Sequence, residues 1–304
     1  MRYSWFLASV LVLAGCTTLP PAPYQQVRGV PEHVALQVPF YAQQTNQCGP
    51  AALAMVFAFE GHAVSPDQLS TAVYLPGKQG TLQVEMLAES RRAGLVPYVL
   101  DDEPDALLKE LAAGHPVIVL QNLGNRVLPD WHYAVVTGYD LPGQMVFLHS
   151  GSESRLVTTF DAFDRSWSQS GRWGFVALPP TQLPVTAEET NYVKSVIELE
   201  PISPASAAIA YQTALTKWPQ DLLARIGAGN AAYAAHDDEK AESEYRQAVA
   251  DHPDSGDAWN NLAQVLSDLG HNREALKCAK HAVSIGGPRQ AEYQATLKSI
   301  EHVQ

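Results

Sequence analysis

The sequence predicts an α+β domain followed by an all-α domain built from repeats. Three observations carry that prediction. Between about residues 33 and 180, segments of helical period give way to short runs rich in β-branched and aromatic residues. At "LPPTQLPVT" (178–186) the composition shifts to Ala, Glu, Gln and Leu. Beyond that point, matching residues recur every 34 positions.

The elements follow in chain order. Cys48 to Glu60 has a helical pattern, its core being the apolar run "AALAMVFAF". Pro66–Tyr74 and Leu82–Ala93 read as further helices, and Pro104–Ala113 as an amphipathic one. "GLVPYVL" (94–100), "HPVIVLQNL" (115–123), "HYAVVTGYD" (132–140), "MVFLHSG" (145–151) and "RWGFVALPP" (172–180) read as strands bounded by Gly, Pro and Asp. Helices first and an antiparallel sheet after them point to an α+β architecture. The 304 residues suffice for about two domains. With 46% hydrophobic residues, six Trp and twelve Tyr, the chain has the composition of a folded protein. A formal charge of −12 without a basic cluster makes nucleic acid a poor partner.

The first residues read "MRYSWFLASVLVLAGCTTLPPAPYQQ". Arg2 starts the segment, Trp5–Leu13 is apolar but too short to span a bilayer, and Leu13-Ala14-Gly15-Cys16 ends it. That ending resembles a bacterial lipoprotein lipobox. The resemblance implies cleavage before Cys16 and lipid attachment there, with acyl chains such as palmitate. Each buried CH2 of an anchor contributes roughly 0.8 kcal/mol. Thr17, rather than Asp, after the cysteine implies the outer membrane, facing the periplasm. The expected organisation is a lipoprotein signal peptide (1–15), a Pro-rich tether (16–32), a mixed domain (33–183) and a helical repeat domain (186–304).

In the repeat domain Ala207, Ala241 and Ala275 are 34 residues apart, as are Tyr211, Tyr245 and Ala279, and Ala214, Ala248 and Ala282. Pro219, Pro253 and Gly287 close each unit. The period, with small residues where paired helices touch, resembles the tetratricopeptide repeat. Two good repeats are expected, after a degenerate one starting near Thr190. The resemblance implies a partner protein on the repeats. "GGP" (286–288) reads as a helix stop.

Three cysteines are present: Cys16, Cys48 and Cys278. No disulfide framework or paired-cysteine metal spacing emerges, though a Cys48–Cys278 bridge stays open. No phosphate-binding glycine loop, calcium loop or HExxH occurs, and no cofactor is expected. Cys48 stands where "QQTNQCGPAALAMVFAF" passes from polar to apolar. A thiol in the first turn of a helix has its pKa lowered by exposed N–H groups and the dipole. Pro50 suits that turn, and Gly49 permits close backbone approach to a substrate. Gln43, five residues upstream, is placed to turn its amide toward an oxyanion. A nucleophilic cysteine needs a base. Of the ten histidines, His132 stands at the mouth of a strand, beside Trp131, whose ring is expected to shield it from water.

"VPFYAQQTNQCGPAALAMV" followed by "WHYAVVTGYD" resembles the papain-like cysteine peptidases of family 39, which process double-glycine leader peptides, and more closely their free-standing relatives. The resemblance covers about residues 35 to 180. It implies a papain-like peptidase domain, Cys48 as nucleophile, His132 as general base then acid, and Gln43 in the oxyanion hole. The family usually places Asp or Asn on the next strand to orient the histidine. Here that strand reads "MVFLHSG", so Ser150 falls on the third position with His149 beside it, and neither is a carboxylate. The register does not favour Asp130 or Asp140.

The expected function is an outer-membrane-anchored periplasmic cysteine peptidase acting on a peptide or protein substrate. Double-glycine specificity is not carried over. Two alternatives stand beside it. One is a peptidoglycan stem-peptide hydrolase, in which His149 would be the third polar residue. Its relatives usually carry Asp-Cys-Ser-Gly rather than Gln47-Cys48-Gly49-Pro50. The other is a degenerate fold that only binds peptides.

Overall fold

The computed structural model describes Tyr24 and residues 27–302. The expected signal peptide, Cys16 and the start of the tether lie outside the described residues.

The first half folds around one seven-stranded antiparallel sheet. Its strands are β1 (His33–Ala35), β2 (Val96–Val99), β3 (Val117–Asn122), β4 (Trp131–Asp140), β5 (Met145–Ser150), β6 (Glu153–Thr159) and β7 (Gly174–Leu178), in the order β2-β7-β3-β4-β5-β6. Strand β4 is long enough to pair with β3 through Trp131–Val136 and with β1 through Gly138–Asp140.

Alternation decides what each face buries. Ile118, Tyr133, Val135, Phe175 and Ala177 point to one side, into a core shared with α1 (Cys48–Phe59), α2 (Pro66–Val73) and α3 (Gln83–Arg92). Val117, Val119, Ala134, Val136, Val176 and Leu178 point to the other, against α4 (Pro104–Ala112) and α5 (Phe160–Trp167). Cover on both faces is why these strands read as unbroken apolar runs. Three elements escape the sequence reading. Strand β1 has only three residues, and β6, "ESRLVTT", is a largely exposed edge without apolar alternation. Helix α5 buries Phe160, Phe163 and Trp167 at helical spacing, and the Thr159 side chain caps it by accepting from the Ala162 N–H.

Beyond β7 the chain is helical: α6 (Glu189–Leu199), α7 (Pro204–Lys217), α8 (Leu222–Ala234), α9 (Asp238–Asp251), α10 (Gly256–Asp268), α11 (Asn272–Ile285) and α12 (Gln290–His302). They form three hairpins, α6–α7, α8–α9 and α10–α11, with α12 packed on the last. The columns of Ala207, Ala241 and Ala275 and of Ala214, Ala248 and Ala282 are buried without exception. Tyrosine rings sit on glycines of the neighbouring helix: Tyr211 on Gly227 and Tyr245 on Gly229, with no room for a Cβ. Gly286, at φ 76°, ends α11, and Gly287 follows at φ 132°.

The two halves share one core. Tyr192, Val193, Val196 and Leu199 of α6 belong to the same buried cluster as Val96, Tyr98 and Leu100. Polar bonds reinforce the seam. Fully buried Glu110 accepts from the Thr186 N–H (2.8 Å) and hydroxyl (2.6 Å) with one oxygen, and its other oxygen meets His115 Nδ1 at 2.6 Å. Tyr98 donates to Thr186 O at 3.3 Å and accepts from the Glu188 N–H at 3.1 Å.

Candidate active site

Helix α1 opens at Cys48, with Gln47 at its N-cap position and no side chain capping it. The Cys48 and Gly49 N–H groups therefore have no intrahelical acceptor. The helix is buried from Gly49 to Phe57, which wedges it against the sheet and holds its first turn still. The thiol comes to rest against β4: the backbone N–H groups of Tyr133, Gly49 and Cys48 itself all act on the sulfur. Tyr133 is the residue after His132, so the thiol and the imidazole-bearing strand meet one peptide apart.

His132 Nε2 lies 2.9 Å from Ser150 Oγ. Residues 18 apart in sequence are joined because β4 and β5 are antiparallel neighbours. Gln43 is pinned at both ends of its amide. Its Oε1 accepts from the Gly151 N–H (2.9 Å), and its Nε2 donates to Tyr133 O (3.1 Å). One Nε2–H remains for another acceptor.

Several expectations are corrected. Gly49 does not open the backbone to a substrate, because a Cβ there would meet the Thr81 side chain at 2.7 Å. Thr81 is held in turn through its carbonyl, which accepts from the Tyr133 hydroxyl at 3.2 Å. Trp131 is 48% exposed and lines the cleft beside the thiol. The helix start does not leave Cys48 with a lowered pKa. Burial pushes the thiol up and outweighs the lowering by the Tyr133, Gly49 and Cys48 N–H groups, while Asp130 adds to the rise. Burial lowers the His132 pKa, against a smaller raising effect of Asp130. His149 is turned away from the imidazole: it is buried, its Nε2 bonds Val38 O at 2.9 Å, and its ring stands edge-on to Phe40. Asp140 faces His33 Nδ1 at 3.2 Å, far down the strand. Cys48 and Cys278 are both free thiols.

The thiol opens onto a cleft of about 700 Å³. One wall is the turn from Lys78 to Gln83, and the other is formed by Leu120, Pro129, Asp130, Trp131, Tyr133 and Ser170. A residue missed by the sequence reading, Asn122, builds the second wall. It is 4% exposed and uses its whole amide. Its Oδ1 accepts from the Gly124 (3.0 Å) and Asp130 (2.9 Å) N–H groups. Its Nδ2 donates to Gln169 Oε1 (2.9 Å) and Asn125 O (3.3 Å). A lone Asn at a strand end carries no signal by which sequence alone would find it.

Residues 35–174 match the Peptidase_C39 like family. Residues 244–277 match the tetratricopeptide repeat. The chain thus joins a C39-like domain to a helical repeat region. Among solved structures, a double glycine motif protease from an AMS/PCAT transporter, in complex with the leader peptide, is 23% identical over 47% of this chain and 94% of its own, with a TM-score of 0.39. The peptidase domain of Streptococcus ComA is 22% identical over 49% and 99%, with a TM-score of 0.36. For the repeats, the first tetratricopeptide domain of Spaghetti bound to an HSP90 peptide is 16% identical over 39% and 97%, with a TM-score of 0.35. No curated protein matches the chain.

Proposed function

We propose that the C39-like domain is a cysteine peptidase that uses Cys48 and His132. The observation that carries this reading is the thiol at the start of α1, lying against the Tyr133 N–H beside His132, whose Nε2 is held by Ser150. With Nε2 engaged, Nδ1 is the nitrogen left for the thiol. A raised thiol and a lowered imidazole make the neutral pair the resting state at neutral pH. Attack then moves the thiol proton to His132 as the sulfur–carbon bond forms and the carbonyl electron pair shifts to oxygen. The Cys48 N–H and the free Gln43 Nε2–H supply donors for that oxyanion. The imidazolium gives its proton to the leaving amine, the carbon–nitrogen bond breaks, and a thioester remains. Water, deprotonated by His132, releases the acid and restores the thiol.

The repeats recruit a peptide or protein partner, and lipid on Cys16 holds the chain at the outer membrane facing the periplasm. Among the described residues no helix is long and apolar enough to cross a membrane.

Two pH profiles test the reading. Iodoacetamide alkylation of Cys48 needs the thiolate, so its rate is expected to climb through the alkaline range, beyond an ordinary thiol pKa of about 8.5. Hydrolysis of a peptide library needs only a neutral imidazole, so its acid limb is expected below the ordinary histidine pKa of about 6.5. His132→Ala is expected to cut hydrolysis by about 100-fold or more. A folded protein that cleaves no peptide would favour the binding scaffold, and release of stem peptides from purified cell wall would favour the peptidoglycan hydrolase.

A further inference from the structure

The cleft beside Cys48 carries two charged side chains, Asp130 on one wall and Lys78 on the other. They make no ion pair with each other, and the Asp130 carboxylate has no hydrogen-bond partner among the described residues. The Asp130 backbone is nonetheless held in place. The buried Asn122 amide takes its N–H at 2.9 Å, and its carbonyl accepts from the Leu123 N–H at 2.8 Å. The same Asn122 oxygen takes the Gly124 N–H, and Gly124 packs so closely under Leu128 and Asp130 that a Cβ has no room. A carboxylate without a partner among the described residues, on a backbone held in place, thus stands in the cleft two residues before His132. Trp131 follows it, half exposed and lining the same cleft. A carboxylate next to an accessible aromatic ring suits a cation, through charge and through the ring face. Asp130 also acts electrostatically on both Cys48 and His132.

We propose that Asp130, with Trp131 beside it, is a specificity-determining residue that selects a cationic side chain, lysine or arginine, next to the bond Cys48 attacks. This rests on the peptidase reading.

Charged thiol reagents test the subsite without requiring turnover. The full chain is treated at low salt with cationic trimethylammonioethyl methanethiosulfonate and anionic sulfonatoethyl methanethiosulfonate. Modification of Cys48 is read by peptide mass mapping, which separates it from Cys16 and Cys278, and each rate is divided by the reagent's rate with free cysteine. The normalised rate is expected to be about fivefold or more higher for the cation, an advantage that added salt reduces. Asp130→Asn is expected to bring the ratio close to one, and Asp130→Lys to invert it. In peptide cleavage, Asp130→Asn is expected to lower kcat/KM for sites with lysine or arginine and to spare neutral sites. A wild-type ratio of one, or a ratio unchanged in Asp130→Asn, overturns the proposal. Charge-selective labelling without cleavage of any peptide upholds the subsite and sinks only the peptidase reading.

Discussion

Ser150 holds the imidazole by a neutral hydrogen bond, where a carboxylate would also stabilise the imidazolium. The consequence is visible in His132, whose pKa is lowered by burial with only Asp130 to oppose it. Ser150→Asp is therefore expected to raise the His132 pKa by about one unit or more, read by NMR titration of the imidazole. The same change is expected to raise peptide hydrolysis at neutral pH by about tenfold. An unmoved pKa together with an unmoved rate would show that position 150 does not control the imidazole. The sequence pattern places Cys48, His132 and Ser150 because each occupies a fixed spot on a helix or strand. It does not reveal Asn122 or Thr81, whose importance comes from what folds against them: a loop for Asn122, and Gly49 for Thr81.

Among the elements, α1 shows how much periodicity conveys and where it stops. Its apolar run is legible as a buried helix, and its first residue as Cys48. The thiol's protonation state is not legible, because it is a balance between backbone N–H groups, which any helix start has, and burial, which β4 and the Lys78–Gln83 turn impose. The repeat helices show the same division. The alanine columns follow from the 34-residue period, but the seating of Tyr245 on Gly229 of the preceding helix is a matter of packing. Tyr245 also bonds Asn230 Oδ1 at 2.7 Å. Tyr245→Ala is expected to destabilise the chain by about 3 kcal/mol, through a cavity left where the ring lay. A urea titration followed by helical circular dichroism measures it, and a loss under about 1 kcal/mol would mean that α8 and α9 collapse to fill the space.

At the scale of the molecule, the peptidase-like half and the repeats are not beads on a string. Tyr98 and Leu100 of the sheet domain and Tyr192 and Leu199 of α6 lie in one core, and Glu110 anchors the connecting segment through Thr186. Calorimetry of the described region is therefore expected to give one main transition, and a domain ending at residue 183 is expected to bind hydrophobic dye. Two well-separated transitions, with a soluble and folded first half, would contradict the shared core. Glu110→Ala removes the acceptor of two Thr186 bonds and the partner of His115. It is expected to cost about 3 kcal/mol, as breaking a buried polar pair does.

The sequence by itself determined the α+β and repeat architecture, the helix and strand carrying Cys48 and His132, and the non-carboxylate at position 150. Those features depend on local periodicity and on motif spacing within single elements. Tertiary structure alone decided the bonds of Gln43 to Tyr133 and Gly151, the raised thiol, the place of Asp130 in the cleft and the common core of the two halves. Each of these depends on residues distant in the chain meeting in space. There burial and charge act through proximity, which linear spacing does not encode.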